Sequence, residues 1–305
     1  MSREPSRNQT PTDKRSRNLR DLDWCLQIPP LMAKGHLVGD APPQSSVDII
    51  WPTSDWFGAL TPSHAEPPSP PDPHRFRLGL HFEALIQHWL AGSDRYDLIK
   101  HNWQVIEAKQ TIGEFDLIIS DRLDGAIEHW ELAVKFYLGT DDLAFDKWYG
   151  PNTNDRFDLK FDRLCRHQLT LATQPAPTRK LTEANITVDR VRSFMKGRLF
   201  YPRHQWERHE ISRLFHPDHP TGWWLAVEDL PHTFGPDSRF VYLPKGLWLS
   251  PLTPGDIEAP LSTAEVRDMV TAPHAQQATH FAEVTHDGEI SRGFVVSSTW
   301  LERVR

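Results

Sequence analysis

GEFDLIISDRLDGAIEHWELAVKFYLG, residues 113–139, is the stretch whose reading decides the fold. FDLII and WELAVKFYL read as two strands, and DRLDG between them reads as the turn. Charge nevertheless interrupts both runs: Asp116 in the first, Glu131 and Lys135 in the second. Side chains alternate faces along a strand, so Leu132, Val134 and Phe136 share one face while Glu131, Ala133 and Lys135 share the other. At about 3.3 Å per residue, the α-carbons of Glu131 and Lys135 stand roughly 13 Å apart, too far for an easy ion pair within the strand. If the two strands form a hairpin about 121–127, Asp116 falls near Glu131, and two carboxylates converge with a lysine one or two pleats away. The competing reading is a cross-strand ion pair with polar neighbours.

Outward from this hairpin the pattern stays regular. Leu78, Phe82, Leu85 and Trp89 in FRLGLHFEALIQHWLAG (76–92) mark one helical face, with Gly92 placed to end it. HNWQVIEAKQ (101–110) reads as a strand. TNDRFDLKFDRLCRHQLTLA (153–172) reads as a long amphipathic helix capped by Asn154 or Asp155, and KGRLFYP (196–202) as a further strand. The order from residue 76 is helix, three strands, helix, strand. Upstream, 1–19 reads as a disordered basic tail. RDLDWCLQIPPLM (20–32) reads as a short helix stopped by Pro29 and Pro30, followed by a proline-rich loop over 61–74. Downstream, TGWWLAVEDL, SRFVYLPKGLWLSPL and HFAEVTHDGEISRGFVV suggest strands. Asp287-Gly288 is the expected hairpin turn, and 262–272 a short helix. The expected organisation is tail (1–19), helical entry and loop (20–75), core (76–201) and an α+β extension (202–305) that could continue the same sheet.

Two carboxylates and a lysine suit metal-assisted phosphodiester hydrolysis. A hard cation such as Mg²⁺ or Mn²⁺ takes oxygen ligands and keeps several waters, and a neighbouring lysine can orient water or stabilise developing charge. An acid on one strand, then an acid and a lysine on the next, within this element order, resembles the PD-(D/E)xK nuclease-like superfamily. RDLDWCLQIPPLM, GLHFEALIQHWL, GEFDLII, HWELAVKFYLG, YGPNTNDRFDLKFDRL and KGRLFYP resemble more closely a bacterial family known as domain-of-unknown-function family 1853. The resemblance implies an α/β fold: a restriction-endonuclease-like core with a central mixed sheet flanked by helices. It also implies a metal-dependent nuclease site. By position, Asp116 is the first metal-binding acid, Lys135 the lysine, and Glu83 the glutamate that many members carry on the first helix. Gly79, one turn before Glu83, leaves open space beside it. The usual second acid lies two residues before the lysine, where this chain has Ala133. Glu131 is one pleat further back, so it either reaches the metal from a shifted position or marks a site that binds without cutting.

The helix over 153–172 carries Arg156, Lys160, Arg163 and His167 at i, i+4, i+7 and i+11, a basic stripe that could meet phosphate. Gln168 resembles a glutamine of some nuclease relatives, whose tyrosine companion is replaced here by Ala172. Glu114 shares the Asp116 face as an accessory acid or an edge residue. His81 and His129 flank the proposed site, and packed histidines explain them equally well. His216 and His219 in HPDH lack a third metal ligand at telling spacing and read as a loop.

Composition bounds the alternatives. The 305 residues are 38% hydrophobic and 25% charged, ordinary for a soluble protein, and Cys25 and Cys165 form no disulfide or zinc pattern. With no apolar run of membrane-spanning length, the expected location is the cytoplasm and no membrane partner is expected. Net charge is −7, and residues 1–20 hold six basic side chains against two acids, leaving −11 on the rest. That balance disfavours broad, sequence-independent nucleic-acid binding and keeps two functions in play. One is a nuclease, with DNA ahead of RNA as partner. The other is an inactive relative that binds nucleic acid or a protein.

Overall fold

A computed structural model describes residues 11–33, 48–50, 56, 76–140, 142–207, 214–272 and 277–304. In chain order the main elements are α1 (Pro11–Gln27), β1 (Asp48–Ile50), α2 (Leu78–Ala91), β2 (Tyr96–Glu107), β3 (Gln110–Asp121), β4 (Ile127–Gly139) and β5 (Trp148–Tyr149). They continue with α3 (Phe157–Arg163), α4 (Pro175–Glu183), β6 (Arg190–Pro202), β7 (Thr221–Ala226), α5 (Leu230–Thr233) and β8 (Arg239–Tyr242). The last are α6 (Thr263–Thr271), β9 (Thr279–Thr285), β10 (Gly288–Val296) and α7 (Ser298–Val304).

The strands form one mixed sheet in the order β2-β3-β4-β6-β7-β10-β9-β8, with β1 beside β6 and β5 beside β4. β4–β6, β6–β7 and β7–β10 pair in parallel; β2–β3, β3–β4, β10–β9 and β9–β8 are antiparallel. β7 pairs with the end of β6, so the residues after 202 continue the same sheet. Helices cover both faces, making this an α/β protein with a mixed sheet flanked by helices. On one face, Leu132 and Phe136 of β4 pack with Phe82, Leu85 and Trp89 of α2 and with Trp24 of α1. On the other, Tyr137 packs with Phe157 and Phe161 of α3.

β4 is an interior strand, and its two edges differ. Toward β6 it is paired from Glu128 to Leu138. Toward β3 the ladder runs only from Ser120↔Ile127 to Leu117↔Trp130 and then ends. β5 resumes pairing on that side only at Leu138 and Gly139. β4 and β6 approach closely at Gly197, whose φ is +154°; a Cβ there would stand 1.9 Å from the Lys135 carbonyl oxygen.

Three expectations need correction. Residues 11–19 belong to α1 and are not a disordered tail; residues 1–10 and the proline-rich loop lie outside the described residues. Two of the basic side chains of the first twenty residues find partners more than 200 residues away: Arg17 donates to the Ser250 carbonyl at 2.9 Å and Arg20 to Asp256 at 2.6 Å. The helix expected over 153–172 is α3, with Arg156 at its N-cap, followed by a π turn over Leu164–Gln168 and a short 3₁₀ turn at Leu171–Thr173. The wide turn rotates later residues out of the stripe's phase. The β9–β10 turn is His286-Asp287, one residue earlier than expected, and Gly288 opens β10 with φ +126°.

Candidate active site at the break in the sheet

The hairpin register is the one the sequence suggests: the ladder's last pair is Leu117↔Trp130, and Asp116 and Glu131 are the next residues beyond it on the two strands. Asp116 takes over there from the ladder, its Oδ2 accepting the Leu132 N–H at 2.8 Å. Glu131 is 2% exposed. Its Oε1 accepts a hydrogen bond from the Gln168 amide. No donor reaches its Oε2, which lies 3.5 Å from His129 Nε2. The two carboxyls are within hydrogen-bond reach of each other, and only a proton between them can make that contact a bond.

Burial, and next the Glu131 charge, push the Asp116 carboxyl up to about 8. Burial pushes Glu131 up to about 8 as well, against the hydrogen bond with Asp116 and the charge of Lys135. His129 is fully buried and pushed down to about 4, which leaves it neutral, and no hydrogen-bond partner reaches either ring nitrogen. Glu83 reaches the pair electrostatically from α2. Its carboxyl accepts from Asn102 at 3.1 Å and is raised, first by burial. No Cβ contact would be met at Gly79, so the helix beside Glu83 is open.

Lys135 is half-buried and lowered by burial. Glu131, Lys135, Lys160 and Arg163 line a cleft of ≈ 180 Å³. Asp116, Glu114 and His167 line a neighbouring one of ≈ 190 Å³, and Arg163 and Gln168 border both. Ala133 borders the first cleft between Glu131 and Lys135.

The basic stripe is thus only partly at the site. Lys160 and Arg163 are exposed at the cleft, whereas Arg156 is held by Asp158 at 2.6 Å. His167 lies 3.0 Å from the Ile112 carbonyl and 3.1 Å from the Gln174 amide, as the π turn directs. Other histidines are architectural: His81 packs 3.5 Å from Asp21, and His219 lies between Tyr201 and the His216 carbonyl. Asp155, offered by spacing as a helix cap, accepts from the Tyr137 hydroxyl at 3.0 Å.

Among the described residues, no group of three His, Cys, Asp or Glu side chains is placed to hold a metal. The donor set is two adjacent carboxylates with one buried oxygen lacking a donor, which fits a hard cation that keeps most of its waters. The shared proton must leave for such a cation to enter.

That proton has a consequence independent of function. In the unfolded chain both acids titrate near 4; folded, burial raises both, so the pair keeps at least one proton up to about 8. Between those values the native state binds more protons than the unfolded, so stability falls as pH rises. Glu131→Gln keeps an acceptor for Gln168 and removes the charge. It is expected to gain on the order of 1–3 kcal/mol at pH 7.5, with the gain gone by pH 4. Urea unfolding across that range checks it, and a gain equal at every pH would refute the shared proton.

Fold and site together define an α/β protein with a carboxylate pair set where β4 loses its pairing with β3. The chain belongs to the family described as Domain of unknown function (DUF1853), whose model matches residues 20–296. No curated protein and no solved structure matches the chain. No described helix is long and apolar enough to cross a membrane.

Proposed function

We propose that the chain is a metal-dependent phosphodiesterase acting on nucleic acid, built on a PD-(D/E)xK-like, restriction-endonuclease-like core. One observation carries the reading: Asp116 and Glu131 come together at the break between β3 and β4, with Lys135 two same-face positions further along β4 on the cleft that Glu131 also lines. Burial makes charge on two adjacent carboxyls costly, so they keep a proton at neutral pH, and a cation in the proton's place would offset the same cost.

Asp116 and Glu131 would hold Mg²⁺ or Mn²⁺, with the Glu83 charge acting on both from α2. Such an ion, when bound, supplies charge neutralisation at the phosphate and a more acidic water. Lys135 faces the cleft with its ammonium depressed by burial, suited to orient water and to stabilise charge on a phosphoryl oxygen. Lys160 and Arg163, exposed above it, would contact the phosphate backbone; Gln168 would release Glu131 or share it. In this reading Glu131, one pleat early, replaces the acid missing at Ala133.

A second reading, an inactive relative that binds nucleic acid or a protein, is favoured by the lack of a three-ligand group among the described residues. Incubation of the full chain with linear, nicked and single-stranded DNA and with RNA, in Mg²⁺ or Mn²⁺, separates the two. The first reading expects metal-stimulated cleavage of DNA ahead of RNA. No cleavage of any substrate, together with nucleic-acid binding, would establish the second.

A further inference from the structure

In EHWE (128–131), alternation puts His129 and Glu131 on one face of β4 and sends Trp130 into the core on the other. His129 is fully buried and stands edge to face with Phe115, ring centroids 4.9 Å apart and planes at 82°. Its Nε2 lies 3.5 Å from Glu131 Oε2. The two make no hydrogen bond, and no other partner reaches either atom or His129 Nδ1. Ser193, the β6 residue in register with Glu131, also has a buried hydroxyl without a partner. Three neighbouring residues of the sheet thus carry buried polar atoms that the protein leaves unsatisfied, and such a cluster calls for a bound polar species.

We propose that His129 Nε2 is a nitrogen ligand beside Glu131 Oε2, so that the cation site selects Mn²⁺ or another first-row transition ion over Mg²⁺.

The separation favours an ion between the two atoms. It is long for an N–H···O bond, whereas two ligands each about 2.1 Å from one ion, at a near-tetrahedral angle, stand roughly 3.4 Å apart. Nothing engages Nδ1, so no second contact commits the ring proton to Nε2, and that nitrogen can present its lone pair. Imidazole nitrogen suits first-row transition ions, whereas Mg²⁺ takes oxygen ligands and keeps its waters. Among the described residues no three His, Cys, Asp or Glu side chains converge. What the fold sets in place is this pair, with Asp116, within reach of Glu131, and water to complete the shell. The inference rests on the metal-site reading of Asp116 and Glu131 and not on cleavage.

Pulsed electron paramagnetic resonance of the full chain loaded with Mn²⁺ at pH 7.5 tests it. Wild type should show spin-echo modulation from a directly bound ¹⁴N, and labelling with ¹⁵N-histidine should convert that pattern to the ¹⁵N one. His129→Leu removes both ring nitrogens from an apolar surrounding. It should abolish the nitrogen coupling and weaken Mn²⁺ binding at least about tenfold, while Mg²⁺ binding stays within about twofold. Bound Mn²⁺ without nitrogen coupling in wild type would overturn the proposal, as would coupling that survives in His129→Leu. Should that variant fail to fold, His129→Gln, which keeps a polar group there, carries the same test. No Mn²⁺ uptake by wild type would overturn this proposal and the metal site together. Nitrogen-coupled Mn²⁺ in a chain that cleaves no nucleic acid would uphold this one and refute the phosphodiesterase.

Discussion

Asp116→Ala is expected to lower metal-stimulated cleavage at least about a hundredfold while the fold persists, because a group that holds charge at the reacting centre contributes on that scale. The substitution removes the acceptor of the Leu132 N–H, which costs about 1 kcal/mol, and removes a carboxyl whose charged form burial and the Glu131 charge disfavour. Net stability should change little, so unchanged circular dichroism with lost cleavage is the expected signature. Lys135→Ala should lose a comparable factor without loss of Mn²⁺ binding, since its ammonium is not a ligand. Glu83→Ala should cost only about tenfold, because its carboxyl is already engaged by Asn102 and adds charge rather than a ligand. Cleavage that survives both Asp116→Ala and Lys135→Ala would remove these residues from the mechanism.

The second large effect falls on stability. Glu128 is fully buried on β4, yet it is satisfied: Arg192 reaches it at 2.5 and 2.9 Å, Arg190 at 3.2 Å and the Trp130 indole N–H at 2.7 Å. Removing one partner of such a network leaves a buried charge uncompensated. Glu128→Ala is therefore expected to destabilise by about 3–5 kcal/mol, with no specific loss of metal binding in the protein that remains folded. Urea denaturation measures it, and a loss below about 1 kcal/mol would mean that water replaces the carboxylate. Three residues along the same strand, Glu131 shows the opposite state, a buried acid with an oxygen that no donor reaches. This contrast between a satisfied and an unsatisfied acid separates architecture from candidate site.

Much of this was legible in the chain. Alternation in 113–139 gave both strands, their register and the face shared by Glu131, Ala133 and Lys135. The spacing of Leu78, Phe82, Leu85 and Trp89 gave α2. Less legible was whatever depends on distant partners. Glu128 carries no sign in the sequence that Arg190 and Arg192 will meet it, because parallel pairing of β4 with β6 joins residues more than 60 apart. α1 extends into the basic N-terminus because Ser250 and Asp256 receive its arginines. The π turn hid in an amphipathic pattern that fits an unbroken helix, and it turns His167 inward onto the Ile112 carbonyl while bringing Gln168 to Glu131. α4 begins with Pro175 at its first position, a start signal of the ordinary kind that was passed over between longer patterns. Asp155 looked like a cap because Asp suits that position, but the Tyr137 hydroxyl holds it elsewhere.

Calorimetric titration of the full chain with Mn²⁺ at pH 7.5, run in two buffers of different ionisation enthalpy, tests the carboxylate pair most directly. Because the pair holds a proton at that pH, one cation should bind with release of about one proton, and Glu131→Gln should abolish both the binding and the release. No binding by the wild type, or binding unchanged in Glu131→Gln, would contradict the assignment of Asp116 and Glu131 as a metal site.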